Sequence, residues 1–275
     1  MTLQGKTVLI TGSSDGLGKE VALLAAEAGA TVLVHGRSRE KSQPVLEEVK
    51  RAGSGDAELY LADLESLDEV RRLAAEVSAR HSRLDVLLNN AGILRAGDLP
   101  RAQNAQGIEL HFQVNYLAPF LLTRLLLPLL KAAAPSRIVN VSSLGQAPID
   151  FDDVQLERSY SGIQGYCQSK LAQIMFTIEL AEELAGSGVT VMSLHPGTFM
   201  NTNMVVGQGM TPQSKVEDGA QATFRLAFAP EHQGETGGFY NQFNPGHANA
   251  QAADHQARRR LWALSVELAG GSAPA

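Results

Sequence analysis

Residues 6–18 read KTVLITGSSDGLG. The first half is a short apolar run rich in β-branched residues, and the second half places glycines at 12, 16 and 18. This order predicts a strand that turns sharply into a helix, because such a turn needs backbone conformations that glycine adopts without a Cβ clash. The first N–H groups of that helix have no partner within it, and they sit at the positive end of its dipole. Together they suit the diphosphate of a nucleotide. Gly12, Ser14, Asp15, Gly16, Leu17 and Gly18 are therefore candidate phosphate-turn residues. The spacing departs from G-x-G-x-x-G, being looser at its start and tighter at its end. An ordinary strand-to-helix turn is the competing explanation, and the position at the first such turn favours the nucleotide.

The same alternation continues outward. Short apolar runs at 31–35, 57–62, 84–90, 137–143 and 189–195 read as further strands, with a short seventh near 237–241. Helical stretches follow the first five: 17–29, a helix through 45–51 broken by Gly-Ser-Gly at 53–55, one capped by Asp63, Ser66 or Asp68 and running to Arg80, then 107–134 and 165–185. A last helix is expected over 250–268. Strands that are apolar throughout belong to parallel sheets covered on both faces. The expected fold is α/β: a Rossmann-type doubly wound sheet of seven parallel strands with helices on both faces, one domain over 1–269 and a flexible tail over 270–275.

Composition narrows the function. The chain has 275 residues, 44% hydrophobic and 19% charged, with a formal net charge of −6. No strong basic run is present, which argues against nucleic acid as a partner. The one basic cluster, Arg258–Arg260, reads as a solvated helix face. The most apolar stretch, 117–130, is interrupted by Arg124 and two prolines and is expected to be a core helix rather than a membrane span. One cysteine, Cys167, forbids an internal disulfide. With no leader pattern in MTLQGKTVLI, this gives a cytoplasmic expectation. The seven histidines show no metal-ligand spacing. His195, before Pro196-Gly197, reads as a turn-ordering residue, and Cys167 as a packed small side chain.

Two positions speak to chemistry. After the second strand come His35-Gly36-Arg37-Ser38. An acid at this point binds a ribose 2′-hydroxyl, whereas an arginine accommodates a 2′-phosphate. Arg37 therefore argues for NADP(H), with NAD(H) as the alternative, and Asp15 would argue the other way if it shared that pocket. Tyr166 and Lys170 lie four apart on an expected helix, hence on one face. A nearby ammonium favours the phenolate and would lower the tyrosine pKa towards neutrality. Independently, Pro119 has no N–H to give the carbonyl of Asn115, so a kink is expected there.

These stretches combine into a resemblance. TGSSDGLG (11–18), Asp63-Leu64, NNAG (89–92), VNYLAPFLLT (114–123), IVNVSS (138–143), YCQSK (166–170) and HPG (195–197) occur in the order found in short-chain dehydrogenases/reductases. The chain resembles that family over nearly its whole length, and most the retinol-dehydrogenase-like and WW-domain-oxidoreductase-like branch. The resemblance implies an NAD(P)-dependent alcohol–carbonyl oxidoreductase. Tyr166 would be its general acid or base, Lys170 the residue that lowers the tyrosine pKa and binds the nicotinamide ribose, and Ser143 (or Ser142) the hydroxyl that bonds the substrate oxygen. Asn115 would hold a proton-relay water through its carbonyl. Asp63 and Leu64 would border the adenine. Asn90, with neighbours Ala91 and Gly92, would lie beside the cofactor. Pro196, Gly197 and Thr202, or Thr198, would meet the nicotinamide. It also implies a homodimer or homotetramer formed through the helices containing 107–134 and 165–185.

The substrate is read less directly. Met200, Met204, Val205, Val206 and Met210 fall in the segment 198–211, which could form a lid and suggests an adaptable apolar pocket for a lipophilic small molecule. The segment between Ser143 and Tyr166, with Phe151, Asp152 and Asp153, is long. The alternatives are an NADP(H)-binding sensor without turnover, or an epimerase or lyase on the same fold.

Overall fold

A computed structural model describes residues 1–271 except Ser54 and Asp98. Eight strands form one sheet: β1 (Thr7–Ile10), β2 (Thr31–Gly36), β3 (Ala57–Leu61), β4 (Val86–Asn89), β5 (Ser136–Val141), β6 (Val189–His195), β7 (Phe239–Asn241) and β8 (Asn244–Pro245). Their order is β3-β2-β1-β4-β5-β6-β7-β8. The first seven are parallel, as expected, and the two-residue β8 adds an antiparallel edge to β7. A strand this short, holding Pro245, leaves no pattern to read.

The main helices are α1 (Gly16–Glu27), α2 (Arg39–Ala52), α3 (Leu67–Arg80), α4 (Ala118–Ala132), α5 (Gly162–Glu183), a single turn α6 (Asn203–Val206), α7 (Val216–Phe228) and α8 (His255–Leu268). Side chains alternate across each strand. Leu9, Leu33, Leu87, Ile138 and Val191 join the core under α3, α4 and α5. Val8, Ile10, Val32, Val34, Leu88, Val139 and Leu194 join the second core, under α1, α2 and α7. Both faces are thus buried, which is why the strands read as unbroken apolar runs.

Three elements differ from expectation. The helix expected over 107–134 carries a wide π turn, Phe112–Leu117, ahead of α4. The expected kink at Pro119 takes this form: an extra residue in the turn accommodates the donor that proline lacks. Together with α4 this makes a helix long enough to cross a membrane, yet 89% of its apolar window is buried inside the fold. Burial, not length, identifies it as a core helix. Second, α7 was not anticipated. Third, the final helix divides into a short 3₁₀ turn, Ala250–Ala253, and α8.

α8 covers α4 and α5. Trp262 packs 5.2 Å from the ring of Phe120 and 5.9 Å from that of Phe176, with the Arg124 guanidinium 5.1 Å from its ring. Arg258 is not a solvated residue: it is buried and ion-paired to Glu179 and Glu182 of α5. Part of the α4 and α5 surface, where a homodimer or homotetramer is expected to assemble, packs here against the chain's own C-terminal helix. The N–H groups of Gly270 and Gly271 close onto the carbonyls of Glu267 and Val266. These two residues therefore belong to the end of α8 rather than to a flexible tail, and the remainder of the expected tail, 272–275, lies outside the described residues.

Candidate active site

Strand order reverses between β1 and β4, and ligand clefts in doubly wound sheets form at the carboxyl ends of the strands at such a point. A cleft of about 1170 Å³ opens there. Its lining includes Gly12, Ser14, Asp15, Gly16, Leu17, Gly18, Arg37, Asp63, Leu64, Asn90, Ala91, Gly92, Ser143, Tyr166, Lys170, Pro196, Gly197, Thr198 and Thr202. The sequence-derived residues are thus brought to one place. Asn115 sits behind the wall at Gly92 and is fully buried.

At one end is the glycine turn. Gly12 has φ +65°, and a Cβ on it would lie 2.8 Å from the Ala91 Cα. A Cβ on Gly18 would lie 2.4 Å from the Gly12 carbonyl oxygen. The turn is held by side chains from the neighbouring strands and from the turn itself. The Gly12 N–H donates to His35 Nδ1 at 3.1 Å, and the His35 N–H donates to the Ser13 hydroxyl at 2.9 Å. Accepting at Nδ1 puts the imidazole proton on Nε2, and burial pushes the His35 pKa down to about 4. The Asn90 amide donates to the Thr11 carbonyl at 2.8 Å and the Gly12 carbonyl at 3.2 Å, tying β4 to the turn.

Asp15 stands at the N-cap of α1 but makes no cap bond. Its carboxylate instead accepts from Asn203 Nδ2 at 2.6 Å. It therefore faces α6 rather than the pocket of Arg37, and the first N–H groups of α1 are left without a side-chain cap. Arg37 reaches the other side of the cleft, with Lys41, and lies 3.5 Å from Glu65. Lys41 and Glu65 were not singled out, although Lys41 falls one turn beyond Arg37.

At the other end, Ser161 caps α5, its hydroxyl accepting from the Gln164 N–H at 3.3 Å. This sets Tyr166 and Lys170 one turn apart on the face towards β5 and β6. Lys170 Nζ donates to the Val141 carbonyl at 2.8 Å and to Gln173 Oε1 at 3.0 Å, and lies 5.7 Å from the Tyr166 ring. Burial lowers the Lys170 pKa to about 7. Burial likewise raises Tyr166, opposed by a hydrogen bond from Ser143. The expected lowering of the tyrosine by the lysine is thus not found: the ammonium's hydrogen bonds go to Val141 and Gln173, away from the phenol.

The geometry separates the alternatives among hydroxyls. Ser142 donates to the Lys170 carbonyl at 2.7 Å and anchors α5, whereas Ser143 faces Tyr166. Thr198 is engaged with His195 Nε2 at 3.2 Å, so His195 does order its turn, while Thr202 lies against Gly16. The Asn115 side chain is also busy. Its oxygen accepts from the Ile93 N–H at 2.7 Å, and its amide donates to the Ile93 carbonyl at 3.1 Å and to Ser169 at 2.9 Å. It therefore ties the loop after β4 to the helix that carries Tyr166.

A buried pair missed from sequence reinforces this loop. The Arg95 N–H donates to His111 Nε2 at 2.9 Å, so Nδ1 carries the proton and donates to Glu109 at 2.7 Å. His111 in turn meets the Tyr166 ring edge-on at 6.4 Å. Cys167 lines the same cleft as Tyr166, and its thiol is pushed up by burial, as suits a packed side chain.

The mouth is apolar: Ile93, Leu94, Leu144, Ile163, Phe199, Met200, Met204, Val205 and Met210 line it. Phe199 holds φ +41°, a costly region for an aromatic residue. The segment 198–210 bridges the cleft, tied to the glycine turn through Asn203 and to the loop after β4 through Gln208, which accepts from the Ala96 N–H at 2.9 Å. The long segment before α5 lies elsewhere. Phe151 stacks under Arg260 of α8 at 4.9 Å.

A dinucleotide turn facing a tyrosine, a serine and a buried lysine at a sheet switch point defines an oxidoreductase that acts on CH–OH donors with NAD(P). Comparison with known proteins agrees. Residues 6–212 match the family model for short chain dehydrogenase, and the chain belongs to that family. It lies on the retinol-dehydrogenase-like branch: human retinol dehydrogenase 13 is 38% identical over 99% of this chain and 87% of its own length. Among solved structures, an uncharacterized protein from Mycobacterium paratuberculosis superposes with TM-score 0.82 at 31% identity, covering 100% of this chain and 97% of that one. The NADPH-bound carbonyl reductase from chicken fatty liver gives 0.70 at 25%, covering 90% and 100%.

Proposed function

We propose that this chain is an NADP(H)-linked oxidoreductase that interconverts a lipophilic alcohol and its aldehyde or ketone. The observation that carries the reading is that Tyr166, Ser143 and the buried Lys170 line one cleft whose far end is the glycine turn and whose mouth is apolar. The cleft fits a dinucleotide on its own terms. The uncapped N–H groups of α1 suit a diphosphate, and no side chain could stand at Gly12 or Gly18 without closing the turn. The nicotinamide, when bound, supplies or accepts the hydride.

The protein's part is to place groups and move a proton. Tyr166 donates its phenolic proton to the carbonyl oxygen in reduction and takes it from the hydroxyl in oxidation. Ser143 bonds the same oxygen and stabilises its developing charge. Lys170, buried and close to Gly92, is placed to meet the nicotinamide ribose. Once its ammonium bonds there, its charge favours the phenolate. Gly12, Ser14, Gly16, Leu17 and Gly18 hold the diphosphate, and Asp63, Leu64, Asn90 and Ala91 border the adenosine half. Thr202, with Pro196 and Gly197, borders the nicotinamide.

Arg37 and Lys41 at the adenosine end support NADP(H), and Asp15, turned to Asn203, does not oppose them. The methionines and Phe199 at the mouth support a lipophilic substrate, as do relatives named retinol dehydrogenases. The test is a spectrophotometric screen of NADPH oxidation across aldehydes and ketones, with NADH in parallel. Consumption that is faster with NADPH and rises with apolar chain length is the expected result. No consumption with any carbonyl, or a clear NADH preference, overturns the respective half of the reading.

A further inference from the structure

We propose that Glu65 sets how strongly this chain discriminates between 2′-phosphorylated and unphosphorylated nicotinamide nucleotides. The proposal rests on the reading of Arg37 as the 2′-phosphate ligand. β2 and β3 are parallel neighbours, so the residues after their carboxyl ends lie side by side. Arg37 follows β2 and Glu65 follows β3 by a few residues. Arg37 Nη1 lies 3.5 Å from Glu65 Oε1, with the side chains 63% and 38% exposed. An exposed pair of this kind is weak and exchanges readily. Lys41 lines the same end of the cleft and makes no ion pair among the described residues. Arg37 and Lys41 thus line the adenosine end together with Asp63, and Glu65 meets Arg37 at its edge.

The carboxylate treats the two nucleotides differently. A phosphate monoester carries about −1.5 to −2 charges near neutral pH. It would draw Arg37 from Glu65 into a stronger, paired hydrogen bond, but Glu65 stays beside it and repels it. A ribose 2′-hydroxyl brings no charge and can donate to a carboxylate. Glu65 thus opposes the phosphorylated nucleotide and tolerates, or assists, the other. It does from the β3 loop what an acid at the end of β2 does in NAD-specific folds. The side chain can be changed without disturbing its turn. The Glu65 N–H donates to Asp63 Oδ1 at 3.1 Å, and its carbonyl accepts from Asn104 at 3.2 Å, both backbone bonds.

The test measures dissociation constants of NADPH and NADH by nucleotide fluorescence for the wild-type chain, Glu65→Gln, Glu65→Ala and Arg37→Ala. Both Glu65 variants should bind NADPH about three- to tenfold more tightly, with NADH unchanged or weaker, and the gain should shrink in about 0.5 M salt. A ratio of the two constants within about twofold of wild type, or equal tightening for both nucleotides, overturns the proposal. Arg37→Ala tests the underlying reading separately. If it leaves the ratio untouched, that reading fails. If it abolishes the preference while Glu65→Gln changes nothing, only the role of Glu65 fails. Unchanged melting temperatures show that every variant is folded.

Discussion

Burial moves Tyr166 and Lys170 in opposite senses: it keeps the Tyr166 phenol protonated, as suits a proton donor, and lets the Lys170 ammonium lose its proton more readily. Tyr166→Phe should lower turnover by at least about 10²-fold while NADPH binding, read by fluorescence, persists. Near-normal turnover would remove Tyr166 from the chemistry. Lys170 gives a second test. Its folded pKa of about 7 lies below its unfolded value, so between about pH 7 and pH 10 the unfolded chain binds the extra proton. Stability without added nucleotide should therefore rise with pH across that window, and Lys170→Met should flatten the rise in urea-unfolding midpoints. His35 works in the same direction at lower pH. With its pKa held near 4 by burial, the folded chain resists protonating it, so stability falls as pH drops from about 6.5 towards 4. The His35 proton would also land on Nδ1, where the Gly12 N–H now donates. Nucleotide affinity should fall over the same range, and His35→Phe should weaken NADPH binding already at neutral pH.

At the scale of elements, the π turn Phe112–Leu117 shows how one residue reshapes a helix. Pro119 cannot close the regular bond to Asn115, the turn widens, and the Asn115 side chain comes to span Ile93 and Ser169. Pro119→Ala restores the missing donor. The melting temperature should hold or rise, while turnover falls about tenfold because Asn115 is displaced from the loop after β4. An unchanged turnover would show that the π turn does not serve the site. This turn was half legible: Pro119 marked the place, but whether a helix kinks or widens depends on what packs against it. α7 was not legible at all. Gly219 and Thr223 interrupt its apolar stripe, and they are tolerated for tertiary reasons. A Cβ at Gly219 would lie 2.4 Å from the Met200 sulfur, and the Thr223 hydroxyl bonds back to the Gly219 carbonyl at 2.8 Å. The first six strands were legible to within two residues at either end, because burial on both faces leaves a continuous apolar run.

For the molecule as a whole, the C-terminal helix is the piece whose place could not be foreseen. Trp262 seals the aromatic group of Phe120 and Phe176, so removing it opens apolar surface on α4 and α5. Trp262→Ala should cost about 3 kcal/mol of stability, read by urea unfolding, and should promote self-association, read by light scattering. A variant that stays as stable as the parent would show that α8 is dispensable to that face.

What the sequence determined by itself was local. The glycine turn, the strand cores and the one-turn spacing of Tyr166 and Lys170 follow from backbone sterics and side-chain periodicity, which act over a few residues. What only the tertiary structure decided lies between elements distant in sequence. Asp15 turns to Asn203, Arg37 meets Glu65, His35 accepts from Gly12, His111 accepts from Arg95, and Arg258 is buried against Glu179. Each of these partners is set by which strand ends and helix faces the fold brings together. The same residue types would have had other neighbours on any other path of the chain.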